Sequence, residues 1–593
     1  MDLLRHRWFW PCILVLGVGL LFGISLGMRA PWLGMLPDRE EYTNADIVLA
    51  MSVRNVNEWL ADTEKPLLSR FIVYCTGPSV EVGDGMWRMR EIAYFPLSWM
   101  PLYAVGRMTG SPVTVQTAQL VNMGYQFLAA LGLALLVATA LRPAWPRAAA
   151  TIAGLAASSL VLFLPGPYFY YFYTYFPDMV VVPVFVWAIL LELWRDDAAA
   201  KPLRRGIVAA QAVLLFAGVL SEWLFIPFTF ALLLKRALLG EFGATLAGWV
   251  KGVVATLGPG AAGMAVFLLY WVWNQALYEL FVKFIIHTGT NDHGPSLESY
   301  VPVFWFAYVR WALGWYAPQF LWAAIGVSTA AFLAAAAARH RGAAIPPNLL
   351  RIIVALFLTG FPMMLYSLLL RAHEAENNYE SAKFAVPAAA ALTLLPAVAL
   401  QLRKRRSALQ AAAAYASSAA VSLIAAGWIA VASPGVPAMM HVGTDRLQRI
   451  AKELAPEQLE PDVLFASFIR NNGDAINSSV VFGQMIRPYE DLPIFLPRFA
   501  GVVPYTYPLI QAFLRPGYEM GLTPEIDYTP PAHFTVGLLY PAEGPVPEAL
   551  APLAPYARQR DSSAYRMLVL DNRDLARFYV ETGSTFGFDT AAP

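Results

Sequence analysis

The sequence predicts a mainly α-helical bundle that crosses a membrane many times, followed by a C-terminal extracytoplasmic α/β domain. Of the 593 residues, 58% are hydrophobic and only 14% are charged, whereas soluble domains average about 45–50% and about 25%. Long apolar runs recur through residues 1–432, and Lys and Arg concentrate in every second connection between them. This composition excludes an ordinary soluble enzyme, and the net charge of +1 gives no indication of a nucleic-acid partner.

About eleven apolar runs approach the roughly 17–25 residues that a spanning helix needs. They lie near residues 9–28, 114–141, 148–165, 178–194, 207–220, 223–236, 252–272, 317–338, 350–370, 384–402 and 409–432. No small-residue cleavage site follows the first run, so we interpret it as an uncleaved anchor. The runs at 207–220 and 223–236 are short and could form one tight hairpin or two partly embedded helices.

The distribution of basic residues predicts the orientation of the bundle. If the N-terminus is cytoplasmic, the connections on that side collect most of the Lys and Arg of the membrane region, as the positive-inside rule requires. Their basic residues include Arg142, Arg147, Arg195, Lys201, Arg204, Arg205, Lys235, Arg236, Lys251, Arg339, Arg341, Arg351 and the run at 403–406. An odd number of spans then places the C-terminus on the extracytoplasmic side.

Two domains are predicted: a membrane module at 1–432, with a large first outer loop at 29–112, and a C-terminal domain at 433–593. An apolar stripe that includes Trp59 predicts a helix along the membrane surface within that loop. The C-terminal region has 12 basic and 18 acidic residues, a net charge of −6. An amphipathic segment from Thr444 and strand-like runs at 463–467, 534–539 and 565–570 predict its α/β character.

A group of acids follows the first apolar run closely: Asp38, Glu40 and Glu41, with Asp46 a little further on. A carboxylate at the mouth of a bundle can remove a proton from an acceptor hydroxyl. The alternative is a solvated polar loop, since the same loop contains many other acids and bases.

The connection between the runs at 350–370 and 384–402 combines two cations with a histidine and an aromatic residue. These are Arg371, His373, Tyr379 and Lys383. Arg and Lys at a bundle mouth suit a phosphate group, because Arg supplies forked donors and Lys a point charge. Equally, three glutamates of the same connection could neutralise these cations and leave an ion-paired connector.

Four further polar residues lie on the predicted outer side: Asp178 and Glu222 at the ends of spans, and His287 and Arg310 in the outer segment of about 273–316. Asp178 opens a span, where it could cap the helix or take part in catalysis. Glu222 lies in a tight turn and is costly unless it is paired or hydrated. His287 lies among other metal-capable side chains, but their spacing matches no zinc signature. No nucleotide-binding motif is present, so no nucleotide cofactor is predicted.

The order of these parts resembles the GT-C superfamily of polytopic glycosyltransferases, especially the bacterial branch of protein O-mannosyltransferases and lipid A aminoarabinose transferases. The resemblance rests on the acids at 38–41, the segment from Tyr94 to Gly106, Asp178 at the opening of a span, and Arg371, His373 and Tyr379 before Pro387. It covers about residues 1–432. Arg39 interrupts the acidic pair that is usual in the family, and residues 433–593 match no soluble domain of it.

The resemblance implies an inverting transfer of a sugar from a polyprenyl-phosphate donor to an envelope glycan, lipid or protein. The reaction would take place on the extracytoplasmic side of the bacterial cytoplasmic (inner) membrane. A transporter or flippase of lipid-linked substrates, and a non-catalytic membrane assembly partner, remain alternatives.

The resemblance also implies a role for each group of residues. Asp38 would be the base, with Glu40 or Glu41 assisting; Arg371, His373, Tyr379 and Lys383 would hold the donor phosphate; Asp178 would position the acceptor or a divalent metal ion; and Glu222, His287 and Arg310 would line the acceptor side. We therefore expect the far-side acids and the far-side cations to share one cavity.

Overall fold

A computed structural model describes most of the membrane region and parts of the C-terminal region. The described residues are 9–34, 45–61, 70–80, 87–90, 94–197, 200–288, 300–402, 407–432, 463–467, 479–482, 535–541, 545–546, 551–561 and 565–582.

The described membrane region is almost entirely helical, which agrees with the predicted polytopic bundle. The helices are α1 (Phe9–Arg29), α2 (Ala45–Ala61), α3 (Met100–Thr109), α4 (Val115–Leu141), α5 (Arg147–Phe163), α6 (Pro165–Tyr173), α7 (Pro177–Asp197), α8 (Lys201–Ser221), α9 (Phe225–Leu238), α10 (Leu246–Trp273), α11 (Leu277–Thr288), α12 (Arg310–Leu313), α13 (Ala317–His340), α14 (Pro347–Leu369), α15 (Arg371–Glu376), α16 (Ala385–Leu402) and α17 (Ser407–Ala432). A π-helix, Val301–Val309, precedes α12, and a 3₁₀ helix, Asn378–Phe384, precedes α16.

Each predicted apolar run falls on a helix, but the number of full spans is lower than eleven. Within the described residues, nine helices are long and apolar enough to cross a membrane, and the bent pair α5–α6 makes a tenth. The exception is α9, which has 14 residues, fewer than the roughly 17 of a full crossing. Its partner α8 has 21 residues, so only one arm of the predicted short hairpin is short.

Successive long helices run in opposite directions and give the bundle two chemically different ends. We call the end where α1 begins the basic end, because it holds Arg142, Arg147, Lys235, Arg339 and Arg351. We call the opposite end, where α1 finishes and α7 begins, the site end. The aromatic segment between α6 and α7 and the short helices other than α9 are at the site end.

A polar stripe on the buried face of α4 fixes non-helical backbone at the site end. Gln119 accepts a hydrogen bond from Gly34 N at 2.7 Å, and Asn122 donates to the Thr174 carbonyl at 2.7 Å. These bonds matter because buried backbone groups away from water must find partners inside the protein. The stripe therefore anchors both the chain that leaves α1 and the chain that enters α7.

The predicted helix of the first outer loop is present as α2, and it packs against the bundle. Leu49, Val53 and Val56 are fully buried. Ser52 Oγ donates to the Tyr175 carbonyl at 2.6 Å, and Asn57 both donates to and accepts from the backbone of Val113. Polar anchors thus join this loop to the aromatic segment before α7.

At the basic end, a buried ion-pair network holds α7, α8, α9 and α10 together. Glu192 lies 2.9 Å from Lys235 Nζ and 2.6 Å from Arg236 Nη2. Arg236 also donates to Gln211 of α8 and to Thr256 of α10. Because every charge in this network has a partner of opposite sign, we interpret it as structural.

The C-terminal region contains the strands that the sequence predicts. The bounds are β3 (Val463–Ser467), β4 (Ser479–Phe482), β5 (Thr535–Pro541), β6 (Arg558–Asp561) and β7 (Tyr565–Asp571), after a hairpin of β1 (Tyr74–Val80) and β2 (Trp87–Arg90) in the first loop. Strands β3 to β7 form one sheet of order β4-β3-β5-β7-β6, in which the pair β3–β5 is parallel and the other pairs are antiparallel. Helix α18 (Asn572–Thr582) follows β7. The amphipathic segment from Thr444 lies outside the described residues.

Candidate active site

The centre of the site end is a buried lysine surrounded by carboxyl groups. Lys383 Nζ lies 2.6 Å from Asp178 Oδ1, 2.5 Å from Glu380 Oε2 and 3.6 Å from Glu222 Oε2. Lys383, Asp178 and Glu380 are fully buried, and Glu222 is 1% exposed. Four segments therefore meet here: the start of α7, the turn between α8 and α9, the 3₁₀ helix, and α14, whose Tyr366 hydroxyl lies 3.2 Å from the ammonium.

A histidine extends this cluster toward the first outer loop. His373 Nε2 lies 2.9 Å from Glu380 Oε1 and 3.0 Å from the Tyr94 hydroxyl. Asn377 lies 3.1 Å from His373 Nδ1 and fixes the ring from the other side. Tyr94 belongs to the segment 94–106 that carries part of the sequence resemblance. The early loop and the late connection, far apart in sequence, therefore share one hydrogen-bonded group.

Glu374 forms a second buried polar group beside the first. Its Oε2 accepts hydrogen bonds from Tyr300 at 2.6 Å and from Ser367 at 2.5 Å. Burial, and the negative charge of nearby Glu380, raise the pKa of the Glu374 carboxyl well above its ordinary value. Glu374 is therefore favoured in its neutral form.

Aromatic rings seal the cluster from the surface. The Phe176 ring packs edge-on against Tyr94 and Tyr379, with ring centroids 4.9 and 5.8 Å apart, and Tyr379 also meets Tyr170. The aromatic run that precedes α7 is what supplies Tyr170 and Phe176. An aromatic wall of this kind lowers the local dielectric constant and so strengthens the electrostatic interactions inside it.

The cluster contains more negative than positive groups. Three carboxyl groups surround one ammonium, so full ionisation would bury a net negative charge, which is costly. Burial raises the pKa of the Glu222 carboxyl, although Lys383 acts in the opposite direction. Glu222 is therefore a group that can hold a proton at this site.

Two carboxyl oxygens of the cluster lack a hydrogen-bond donor within the described residues. They are Oδ2 of Asp178 and Oε1 of Glu222, whereas Oδ1 of Asp178 lies 2.6 Å from the Lys383 ammonium. Asp178 lies in the first turn of α7, where its negative charge also favours the N-terminus of the helix. Buried unpaired acceptors are rare, and they mark positions where a ligand group can donate.

Three side chains of the site are suitable metal ligands by type and distance. Ligand atoms of Asp178, His373 and Glu380 all lie within 4.8 Å of one another. However, the Lys383 ammonium already contacts two of these three groups. A divalent cation would have to displace it, so the residues do not fit a metal ion while Lys383 is charged and in place.

The structure brings together part of the predicted site. Asp178, Glu222, His373 and Lys383 share one cluster, and Tyr379 packs against its aromatic wall. Arg371 precedes His373 in α15 and is partly buried. Arg310, by contrast, stacks on the Trp315 ring, and the described contacts do not join it to the cluster.

The predicted base and one predicted acceptor residue are not among these contacts. Asp38, Glu40 and Glu41 lie outside the described residues, as does the side chain of His287. The shared cavity expected for Asp38, Asp178 and Arg371 therefore stays a prediction.

Sequence reasoning missed Tyr366, Tyr300 and Ser367, and treated Glu380 only as a neutralising charge. A signal for two of them exists, because Tyr366 and Ser367 are polar neighbours inside an otherwise apolar run. Polar residues in spans are often functional. Tyr300 follows a polar loop and shows no such contrast.

Comparison with solved structures finds two forms of ArnT from Cupriavidus metallidurans. The apo form is 13% identical, with 95% of this chain and 98% of that chain covered and a TM-score of 0.47. The form bound to undecaprenyl phosphate is 15% identical, with coverages of 96% and 98% and a TM-score of 0.48. An oligosaccharyltransferase from Archaeoglobus fulgidus is 13% identical, with coverages of 75% and 58% and a TM-score of 0.44.

No protein-family model and no curated protein matches the sequence.

Proposed function

We propose that this chain is an integral-membrane glycosyltransferase of the GT-C type, which moves a sugar from a polyprenyl-phosphate donor to a hydroxyl of an envelope glycan, lipid or protein. The observation that carries the proposal is the Asp178 carboxylate. It is fully buried at the end of a membrane bundle, its Oδ1 lies 2.6 Å from the Lys383 ammonium, and its Oδ2 has no hydrogen-bond partner within the described residues. The order of motifs in residues 1–432 supports the same assignment.

In this proposal Asp178 orients the acceptor hydroxyl. The hydroxyl donates a hydrogen bond to a carboxyl oxygen of Asp178, and Lys383 holds that carboxyl group in place. The base that takes the proton is Asp38, with Glu40 or Glu41 assisting. The loop that carries these acids starts at the site end, because Gly34 is bonded to Gln119 there.

The leaving polyprenyl phosphate needs positive charge. Lys383 lies among three carboxyl groups, so we assign it to the organisation of the acceptor site, and we assign phosphate binding to Arg371, two residues before His373 in α15. The guanidinium fork matches two phosphate oxygens, and a preorganised charge of this kind stabilises the leaving group.

The transporter alternative predicts charged groups near the middle of spans. The two charged clusters described here lie toward the two ends of α7 instead. Asp178 is its second residue, and Glu192 lies within its last two turns. This placement favours a site reached from one side of the membrane.

The test is transfer by the purified full chain in nanodiscs, with a radiolabelled polyprenyl-phosphate sugar and extracted envelope material as acceptor. Asp38→Ala should lower the rate about 10²–10⁴-fold if Asp38 is a general base. Asp178→Asn should lower it strongly as well. Asp197→Asn is the matched control, because Asp197 is half-exposed at the basic end and pairs with Arg351.

Three outcomes would contradict the proposal. Asp38→Ala with full activity would remove the assigned base. Equal loss in Asp178→Asn and Asp197→Asn would indicate a general structural effect. Movement of intact donor lipid across the nanodisc or vesicle membrane, without release of the sugar, would favour a transporter.

A further inference from the structure

A partly open pocket lies at the basic end, remote from the candidate active site. It has a volume of about 60 Å³ and lies between the start of α1, the end of α4 and the start of α5. Its lining includes Trp10, Ala138, Thr139, Arg142, Arg147 and Thr151, together with further apolar side chains. The wall is therefore apolar, with two threonine hydroxyls, and two guanidinium groups lie at the rim.

The two arginines of the pocket differ from the buried and partly buried basic residues at this end. Arg195, Lys235 and Arg351 each pair with a carboxylate. Arg142 and Arg147 are exposed, and among the residues that the structure describes neither forms an ion pair. Their positive charges are thus available to a ligand.

The surroundings of the pocket are suited to a lipid. Ile152 of α5, next to the lining residue Thr151, is 39% exposed. This side chain extends the apolar wall of the pocket to the outer surface, which acyl chains can cover. Trp10 stands at the rim, where tryptophan commonly marks the boundary between headgroups and hydrocarbon.

We propose that this pocket binds an anionic phospholipid, with the phosphodiester between Arg142 and Arg147 and the acyl chains along α1 and α5. Basic pockets between membrane helices recognise acidic lipid headgroups in this way. The apolar wall and the exposed apolar surface beside it favour a lipid over a free phosphate ion. This site is independent of the proposed transfer reaction.

The preference for an anionic over a zwitterionic lipid should be substantial. Each Arg near an anionic headgroup contributes about a fivefold preference, so the pair should give a preference of roughly 30-fold. Loss of both charges should abolish most of it.

The test is native mass spectrometry of the full chain after partial delipidation, with phosphatidylglycerol and phosphatidylcholine as competing probes. The wild type should retain one phosphatidylglycerol. The double variant Arg142→Gln/Arg147→Gln should lose it, whereas the control Arg339→Gln/Arg341→Gln, with two exposed arginines at the same end, should keep it.

A second variant separates the pocket from general charge effects. Ala138→Leu keeps both arginines but narrows the cavity, and it should also lose the retained lipid. Equal retention in the arginine double variant, equal loss in its control, or displacement of the lipid by millimolar inorganic phosphate would each overturn the proposal.

Discussion

Lys383 and Asp178 form a fully buried ion pair, with 2.6 Å between the ammonium and Oδ1. The lysine comes from the 3₁₀ helix before α16, and the aspartate from the first turn of α7. Because Glu380 and Glu222 share the same ammonium, the pair is the centre of a group in which one positive charge holds three acids.

Lys383→Met should destabilise the protein by about 3–5 kcal/mol, because it leaves buried carboxyl groups without their cation. The measurement is the free energy of unfolding in mild detergent. Lys383→Met/Asp178→Asn should recover part of this loss, since the two sites are coupled. Arg351→Met, which removes a pair with a half-exposed aspartate, is the control and should cost at most about 1 kcal/mol.

Lys383→Ala should also create a divalent-cation site. The ligand atoms of Asp178, His373 and Glu380 are close enough to share one ion, and removal of the ammonium would free two of them. We expect Zn²⁺ or Mn²⁺ to raise the melting temperature of Lys383→Ala but not of Lys383→Ala/Asp178→Asn. Equally strong stabilisation of the wild type would show that the ammonium does not compete with the metal.

Stability should depend on pH through Glu374. Its pKa in the folded protein is raised above the ordinary value near 4.5, so its stabilising contribution is fully present below that value and is lost as pH rises. For one proton the slope is at most about 1.4 kcal/mol per pH unit. Glu374→Gln imitates the neutral acid and should flatten this part of the profile of unfolding free energy against pH. An unchanged profile would contradict the neutral assignment.

Arg29 is a buried cation for which the described residues offer no carboxylate. Its Nη1 donates to Gln126 at 2.7 Å, its guanidinium lies 3.9 Å from the centre of the Tyr168 ring, and its Nε and Nη2 have no described partner. Arg29→Met should therefore be neutral or stabilising by about 1–4 kcal/mol. A marked loss of unfolding free energy would instead reveal a counter-ion, either a bound anion or an acid outside the described residues.

The sequence predicted the membrane helices well because hydrophobicity in a bilayer is a local property. A run such as 114–141 must be helical, since every backbone group needs a partner and only its own helix can supply one. Whether the run at 223–236 forms a full span was harder to predict from the sequence. A helix that is buried by neighbouring helices does not need the apolar length of a helix that faces lipid.

The candidate site was predicted only in part. Asp178, His373 and Lys383 stood out as charged or titratable groups at the outer ends of apolar runs. That Lys383 would lie among three carboxyl groups could not be read from the chain. The ion-paired connector that the sequence left open as an alternative describes its surroundings more closely.

By itself, the sequence determined that the chain is a polytopic helical bundle, with its basic residues collected at one end and its reactive residues at the other. Only the tertiary structure decided which of those reactive residues meet. Tyr94, Asp178, Glu222, His373 and Lys383 come from five separate segments, and ionic contacts between them depend on how helices pack. Hydrophobic patterning places each helix in the membrane, but it carries no information about which helix will lie beside it.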